Sequence, residues 1–200
     1  MESNTKFRKN IRFLWDLALF TYGGLWLVCF DFLGKDVITM GFFKKLFGKT
    51  PEGIFAPMSG KAVPITEVPD PTFAEGLLGN GIAIEPADGK VVAPCDGVIG
   101  TMFATGHAVT LNAENGAEIL IHVGLETVSL EGKPFNVHVK DGDKVKKGQL
   151  LMEADLEAIK AAGLPTITPV VICNCDDFTK FETHVGGDVT NDDLIIDLGK

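Results

Sequence analysis

Cysteine, tyrosine and tryptophan are scarce in this chain of 200 residues, which holds four, one and two of them respectively. The four cysteines have neither the spacing of a zinc ribbon nor that of a disulfide framework, so neither device is expected to stabilise the fold. We therefore expect unpaired thiols in a reducing cytoplasm. The length is sufficient for one ordinary domain with a complete hydrophobic core.

A basic surface is missing from the greater part of the chain. Residues 51–200 contain ten Lys and Arg against 23 Asp and Glu, whereas residues 1–50 contain eight against four. Nucleic acids bind through a basic surface that neutralises their phosphates, so this composition argues against nucleic acid as a partner. An acidic domain suits a protein partner with a basic docking face, because complementary charge speeds encounter.

The apolar stretch near the amino terminus is too short for an ordinary bilayer span. Its uncharged centre, Leu17 to Phe30, has 14 residues, whereas a spanning helix needs roughly 20. Asp16 and Asp31 bracket it, and no small-residue cleavage site follows, so a signal peptide fits poorly. We interpret residues 1–39 as an apolar and basic leader, either membrane-peripheral or upstream of the true start.

A second beginning is indicated at Met40. The run "MGFFKKLFGK" combines Phe and Leu with Lys as a short amphipathic, surface-binding helix does. We interpret residues 40–52 as this segment and a linker, with peripheral membrane contact through residues 40–47. The main domain is then predicted to occupy residues 53–200.

No long helical period occurs after Met40, and short runs rich in Val and Ile, separated by Gly, Pro and Asp, are found instead. The runs are "GIAIEP", "KVVAP", "HAVTL", "EILIHV", "QLLMEAD", "TPVVICN" and "DLIIDL". Short strands at this spacing predict an all-β, antiparallel β-sandwich with few short helices. One helix is predicted in "ADLEAIKAAG", where Gly163 and Pro165 provide the end.

An internal repeat gives this sandwich a more specific form. "FAPMSGKAV" and "VAPCDGVIG" both read x-Ala-Pro-x-x-Gly, and each of two later segments pairs a Gly-Asp turn with a strand. Duplicated hairpins that close into one sandwich, of the barrel-sandwich hybrid type, would explain the repetition.

A hairpin is predicted around Asn115-Gly116, which lies between two apolar runs. If these two residues form the whole loop, Glu114 faces Ala117 and Val109 faces His122. His107 shares the face of Val109, because side chains alternate along a strand. His107 and His122 are then diagonal neighbours on one face, about 7–8 Å apart at the backbone.

Two imidazoles at this spacing can contact one tetrahedral anion. A neutral imidazole is a competent nucleophile, so His122 could carry a phosphoryl group while His107 binds its oxygens. Thr105 would add a hydroxyl, and Gly124, which this register places opposite His107, would leave room for the ring. The residues thus favour phosphoryl transfer, which depends chiefly on positioning and charge stabilisation.

The stretch "ILIHVGLETVSLEG" resembles the signature around the phosphorylated histidine of glucose-type IIA domains, which belong to the bacterial phosphoenolpyruvate-dependent sugar phosphotransferase system. The resemblance extends over about residues 55–198, and "MGFFKKLFG" is similar to the amphipathic amino terminus of the family. The other matching blocks are "APMSG", "VPDPTFAEGLLGNGIAI", "VVAPCDGVIGTMFATGHAV", "GDKVKKGQLL" and "TPVVICN".

The resemblance implies a cytoplasmic phosphocarrier. It implies that His122 accepts a phosphoryl group from phosphohistidine on the carrier protein HPr and passes it to a cysteine of a sugar-specific IIB domain of the IIB/IIC permease. It further implies that His107 orients the phosphate, that Thr105 supplies the accompanying hydroxyl, and that the backbone carbonyl of Gly124 orients the acceptor ring.

The resemblance also implies a docking surface for these partners. Asp70 and Glu126 fall where the family places acids that meet arginines, although Asp is the usual residue at the second position. Val109 is smaller than the usual aromatic, which predicts a shallower patch. The apolar positions are Phe73, Leu77, Leu78, Phe103, Val109, Leu120 and Val128.

Three other functions stay open at this stage. Biotinyl and lipoyl carriers have similar hairpins, but the Met-Lys-Met tripeptide is absent. LytM-type zinc peptidases need a His-x-His pair, which is also absent. A regulatory module that binds target proteins and is switched by phosphorylation is the third. No cofactor is expected to be required, although His107 and His122 could bind zinc weakly. The sequence does not indicate which sugar is transported.

Overall fold

Residues 53–200 are described by a computed structural model, and they form short strands with little helix. Each of the seven apolar runs overlaps a strand, so the predicted all-β class is confirmed. The strands are β1 (Gly53–Phe55), β2 (Gly60–Pro64), β3 (Asn80–Pro86), β4 (Lys90–Val92), β5 (Gly97–Met102), β6 (Ala108–Ala113), β7 (Glu118–His122), β8 (Phe135–Val137), β9 (Lys144–Val145), β10 (Leu150–Ala154), β11 (Thr168–Ile172), β12 (Lys180–Thr183), β13 (Asp188–Val189) and β14 (Leu194–Gly199).

The described residues contain two short α-helices, α1 (Pro71–Ala74) and α2 (Leu156–Ala161). Helix α2 is the predicted one, and Asp155 caps its start, because its carboxylate accepts the amide of Ala158 at 2.9 Å. Helix α1 was not predicted, because four residues are too few to show a helical period. Three 3₁₀ turns complete the structure, namely η1 (Ile65–Glu67), η2 (Thr127–Leu130) and η3 (Cys175–Asp177).

The strands form three sheets, and every pairing within residues 53–200 is antiparallel. The largest sheet has eight strands in the order β13-β2-β3-β11-β7-β6-β5-β9. Two three-stranded sheets, β1-β14-β12 and β4-β10-β8, accompany it. This arrangement confirms the predicted antiparallel sandwich.

Reciprocal hydrogen bonds join the two Ala-Pro-x-x-Gly segments. The amide of Phe55 donates to the carbonyl of Pro94 at 3.0 Å, and the amide of Val92 donates to the carbonyl of Pro57 at 2.8 Å. Each bond maps onto the other when the two copies are exchanged, as a local two-fold axis requires. The predicted duplication of hairpins is therefore present in the fold.

Strand β7 separates two apolar clusters, because alternate side chains point to opposite faces of a sheet. Ile119 and Ile121 belong to the larger core, which all three sheets share. Leu120 belongs to a smaller cluster that includes residues of η1 and α1. His122 is two residues beyond Leu120, so it lies at the edge of the smaller cluster.

The predictions for the leader (residues 1–39), for the amphipathic segment (40–52), and for membrane contact through residues 40–47 fall outside the described residues. Within residues 53–200, no helix combines the length and the apolar character that crossing a membrane requires.

Candidate functional site

His122 is the last residue of β7, and its ring is fixed by a single backbone carbonyl. Its Nδ1 lies 2.7 Å from the carbonyl oxygen of Gly124. Because a carbonyl can only accept a hydrogen bond, Nδ1 carries the proton of the neutral ring. The lone pair of Nε2 is therefore not used by this contact and is free to react.

His107 lies immediately before β6, after a tight turn. Gly106 makes this turn with a φ of 67°, and its amide donates to the carbonyl of Phe103 at 2.7 Å. The hydroxyl of Thr105 lies 2.5 Å from Nδ1 of His107. Both histidines therefore have Nδ1 occupied, and His107 is buried, with 7% of its surface exposed.

The two imidazoles meet edge to face. Their ring centroids are 4.9 Å apart, with an angle of 76° between the ring planes. Phe103 contacts His107 edge-on at 5.4 Å between centroids, and Phe73 contacts His122 at the same distance. Four rings thus form one continuous cluster, in which a phenyl group packs against each histidine.

The hairpin between β6 and β7 differs from the prediction by one residue. The amide of Ala113 donates to the carbonyl of Ala117 at 2.8 Å, so the loop consists of residues 114–116. The side chain of Asn115 accepts the amide of Ala117 at 3.0 Å. This side-chain turn adds a residue to the loop, and the rule for two-residue Asn-Gly turns does not include it.

The corrected register places Ala108, not Val109, opposite His122. A regular strand would then direct His107 and His122 to opposite faces. His107 precedes the first residue of β6, however, so strand alternation does not govern its side chain. The rings meet as the prediction required, but the predicted diagonal pairing within two regular strands is wrong.

Burial lowers the pKa of both histidines below the ordinary value of 6.5. The pKa of His107 is lowered further by the charge of His122. For His122, the bond to Gly124 and the carboxylates of Asp70 and Glu126 oppose the effect of burial without cancelling it. Both rings are therefore neutral at pH 7, which is the form in which an imidazole nitrogen can attack.

Four members of the predicted apolar patch are exposed, in segments that adjoin those that contact the histidines. Leu77, with 70% of its surface exposed, and Leu78 follow α1. Phe103 packs on His107, and Val128, which is 50% exposed, lies in η2. Several exposed apolar side chains in neighbouring segments are typical of a protein-docking surface.

Three other predicted members of the patch do not offer such a surface. Val109 has none of its surface exposed and lies in the larger core, so its assignment to the patch is wrong. The family resemblance placed Val109 in the patch, and the predicted register agreed with it, whereas the observed register puts Val109 on the face opposite to that of His122. Phe73 and Leu120 are also buried, and they support the patch from within the smaller cluster.

The two predicted acids differ in their surroundings. Asp70 is half-buried at the start of α1, where its carboxylate accepts the amide of Thr72 at 2.8 Å. Glu126 is exposed and adopts the left-handed conformation with a φ of 57°. Both carboxylates act electrostatically on His122, so the acids lie near the phosphoryl-accepting candidate.

The side chain of Thr127 and the carbonyl of Pro165 shape the backbone after His122, and neither was predicted from the sequence. A methyl group on Gly124, which has a φ of 69°, would lie 2.7 Å from Cγ2 of Thr127 and 2.8 Å from the carbonyl oxygen of Pro165. The glycine therefore makes room for these two groups, not for His107 as predicted. Thr127 stands in the "GLETV" run and could have been noticed, whereas nothing local indicates Pro165.

The metal-binding potential of the described chain is small. Among residues 53–200, no group of three or more His, Cys, Asp or Glu side chains is arranged to hold a metal ion. His107 and His122 alone provide two ring nitrogens, and both Nδ1 atoms already have partners.

Comparison with known proteins identifies the class to which this fold and site belong. The family model described as "phosphoenolpyruvate-dependent sugar phosphotransferase system, EIIA 1" matches residues 52–178. The chain belongs to this family, and it is a phosphocarrier component of sugar uptake. Neither a zinc peptidase nor a biotinyl or lipoyl carrier receives support from the comparisons.

Individual relatives agree with this assignment. The glucose-specific EIIA component of Halalkalibacterium halodurans is 48% identical over 151 residues, which cover 70% of this chain and 87% of the relative. That of Bacillus cereus is 51% identical over 148 residues, covering 72% and 90%. The solved glucose permease IIA of Mycoplasma capricolum is 31% identical with a TM-score of 0.66, covering 72% of this chain and 93% of that one.

The same module also occurs within longer proteins. The β-glucoside-specific EIIBCA component of Dickeya chrysanthemi is 46% identical over 138 residues, which cover 69% of this chain but only 22% of the relative. That relative therefore contains a region similar to this domain beside further components of its transport system.

Proposed function

We propose that His122 is the residue that carries the phosphoryl group, with phosphohistidine of HPr as the donor and a cysteine of a IIB domain as the acceptor. One observation carries this proposal. The bond from Nδ1 of His122 to the carbonyl of Gly124 leaves a neutral ring whose Nε2 has a free lone pair. His107 has less exposed surface and is the partner of this nucleophile.

The first transfer is a displacement at phosphorus. Nε2 of His122 attacks, the new N–P bond forms, and the N–P bond of the donor breaks, with its electron pair returning to the donor imidazole. The ring of His122 becomes positive, because its Nδ1 proton stays in place. The carbonyl of Gly124 and the carboxylates of Asp70 and Glu126 stabilise this charge as it develops.

His107 orients the phosphoryl group through the opposite tautomer. When the hydroxyl of Thr105 donates to Nδ1 of His107, the proton of that ring lies on Nε2. With the ring centroids 4.9 Å apart, this N–H can donate to an oxygen of a phosphoryl group on His122. In this arrangement the two histidines have different roles, because the Gly124 carbonyl keeps the proton of His122 on Nδ1 while a hydroxyl donated by Thr105 leaves the proton of His107 on Nε2.

The second transfer regenerates the domain. The thiolate of the IIB cysteine attacks phosphorus, the S–P bond forms, and the N–P bond breaks to restore the neutral ring of His122. Neither step changes an oxidation state, so we expect no cofactor to be required. Zinc held by His107 and His122 alone would be weak, because structural and catalytic zinc sites use at least three protein ligands.

The partners dock on the exposed apolar patch beside the acids. Leu77, Leu78, Phe103 and Val128 supply the apolar area, and Glu126 supplies a negative charge for a basic residue of the partner. We place the domain in the cytoplasm, where phosphoenolpyruvate is produced. Relatives named for glucose make this sugar the first to test, and the relative named for β-glucosides makes those the second.

The proposal is tested by reconstituting the transfer. The protein is incubated with phosphoenolpyruvate, enzyme I and HPr, and bound phosphate is then measured before and after addition of a panel of IIB domains. We expect one acid-labile phosphate on the unaltered protein and none on His122→Ala. His107→Gln should accept phosphate and pass it on slowly.

The matched control is His138→Ala, because His138 lies just beyond β8 and pairs with Glu153 at 3.0 Å instead of joining the ring cluster. That variant should behave as the unaltered protein does. Uptake of label by His122→Ala would contradict the assignment of His122.

A further inference from the structure

The selection of the reactive nitrogen depends on the position of one carbonyl, that of Gly124. This residue lies two positions beyond the end of β7, in an irregular segment that leads into η2. A rotation of the adjoining peptide would turn the carbonyl away from His122. Something must therefore hold this segment in the observed conformation.

Thr127 contacts the segment on two sides. Its hydroxyl donates to the carbonyl of Val123 at 2.7 Å, and its side chain is completely buried. Its methyl group lies against Gly124, so closely that an added methyl on that glycine would be 2.7 Å away. Thr127 thus fixes the peptide between Val123 and Gly124.

The backbone next to Thr127 is strained, as a segment held by its surroundings can be. Glu126 has a φ of 57°, in the left-handed region that side-chain-bearing residues rarely adopt. Such a conformation persists only where neighbouring contacts over-determine it. The buried hydroxyl of Thr127 and the bond from the amide of Leu125 to the carbonyl of Pro165, at 3.0 Å, are two such contacts.

We propose that Thr127 is a positioning residue for phosphoryl transfer, which holds the Gly124 carbonyl where it accepts the Nδ1 proton of His122 and leaves Nε2 as the reactive atom. The consequence for catalysis rests on the proposed function of His122. Thr127 acts through Gly124 and does not touch the phosphoryl group.

The loss of the hydroxyl has a defined consequence. The carbonyl of Val123 is left without its buried donor, and an unpaired buried carbonyl drives the peptide to rotate toward another partner. The next peptide, which carries the carbonyl of Gly124, is joined to this one through Cα of Gly124. Within the described part of the chain, its only backbone hydrogen bond is that from the amide of Leu125 to the carbonyl of Pro165. We expect the carbonyl of Gly124 to shift with the rotation and to release the ring of His122 from a single tautomer. A neutral imidazole without such a partner can carry its proton on either nitrogen.

Two substitutions separate the hydroxyl from the shape of the side chain. Thr127→Val keeps the shape and removes the hydroxyl, whereas Thr127→Ser keeps the hydroxyl and removes the methyl group. Nitrogen NMR of the imidazole rings reports the tautomer of His122 without any phosphorylation. We expect Nδ1–H alone in the unaltered protein and in Thr127→Ser, and a mixture of tautomers in Thr127→Val.

The rate of phosphorylation by phospho-HPr is measured on the same samples. Thr127→Val should be slower by about fivefold to tenfold at saturating donor, as loss of one buried hydrogen bond suggests. Thr127→Ser should stay close to the unaltered rate. Thermal unfolding is recorded in parallel, because both substitutions are expected to lower the melting temperature.

A purely structural role would lower the melting temperature of Thr127→Val and leave the tautomer of His122 unchanged, and that result overturns the proposal. If Thr127→Val does not fold, Thr127→Ser provides the test. A mixture of His122 tautomers in Thr127→Ser, which retains the hydroxyl, also overturns the proposal. Failure of the unaltered protein to accept phosphate on His122 would refute the proposed function instead, since the tautomer comparison is independent of it.

Discussion

The imidazole rings of His107 and His122 lie 4.9 Å apart, although the residue that faces His122 across the hairpin is Ala108. The pair is therefore assembled at the ends of two strands and not on the face of the sheet. The turn at Gly106 brings in one ring, and the backbone after β7 orients the other. Changes in these two loops should alter the site more than changes in the strands.

Acidification is expected to destabilise the domain through the histidine pair. The pKa of each ring is lowered in the folded state, so below about pH 6.5 the unfolded chain binds protons that the folded chain does not. The free energy of unfolding should therefore fall as the pH falls through this region. Denaturant unfolding at a series of pH values measures the effect.

The control for this prediction is the double variant His107→Gln, His122→Gln. It lacks both titrating rings, so its free energy of unfolding should depend less steeply on pH below 6.5. If the free energy of unfolding depends equally on pH in the unaltered protein and in the double variant, the histidine pair does not contribute to the pH dependence.

Replacement of Gly124 by alanine is expected to lower the free energy of unfolding more than the same replacement of a glycine that has a similar φ but no close neighbours. Gly124→Ala places a methyl group against Thr127 and Pro165, in addition to the strain of a φ of 69°. We expect a loss of about 3 kcal/mol in the free energy of unfolding. Gly142, with a φ of 81°, has no atom within 4 Å of an added methyl group.

Gly142→Ala is therefore the matched control, and it should lose only about 1 kcal/mol, the cost of the left-handed conformation. Gly124→Ala should also slow phosphorylation, because the carbonyl that accepts from His122 is displaced. Equal losses of stability in the two variants would be inconsistent with close packing around Gly124.

Val109 and Val128 are expected to give opposite results, although both were predicted to lie in the docking patch. Val109→Ala removes two buried methyl-sized groups from the larger core and should cost about 2 kcal/mol of stability. Val128→Ala changes an exposed side chain and should cost less than about 0.5 kcal/mol. Its effect should instead be a higher KM for phospho-HPr, and an unchanged KM would remove Val128 from the patch.

The negative charge of Glu126 is expected to speed encounter with basic partners. Glu126→Gln should lower kcat/KM for phospho-HPr by about twofold to tenfold at low salt, with a smaller difference at high salt, because salt screens exposed charges. Asp192→Asn removes a charge in the turn between β13 and β14 and serves as the control. A similar decrease in both variants would indicate a general effect of net charge.

Much of the fold was predictable because its signals are local. The apolar runs are short and rich in β-branched residues, and this pattern is sufficient to predict strands. Helix α2 was predictable because Asp155 caps its start and Gly163 follows its end. The hairpin between β6 and β7 indicated that His107 and His122 lie near each other, but the register from which their contact was predicted is wrong.

The predictions that failed concern features that depend on single residues or on contacts between residues far apart in the sequence. The side chain of Asn115 lengthened the hairpin loop by one residue, and this reversed the face assigned to Val109. Helix α1 has four residues, which are too few for a helical pattern to repeat. The carbonyl of Pro165 reaches Gly124 only through the tertiary fold, so no neighbouring residue could have indicated it.

The position of the phosphate on the phosphorylated protein tests the central claim most directly. Phosphorus and nitrogen NMR of the domain, after transfer from phospho-HPr, identify both the histidine and the ring nitrogen that carry the group. With Nδ1 of His122 held by Gly124, we predict a single phosphohistidine at Nε2 of His122. A phosphate on Nδ1 of that ring, or on His107, would contradict the account.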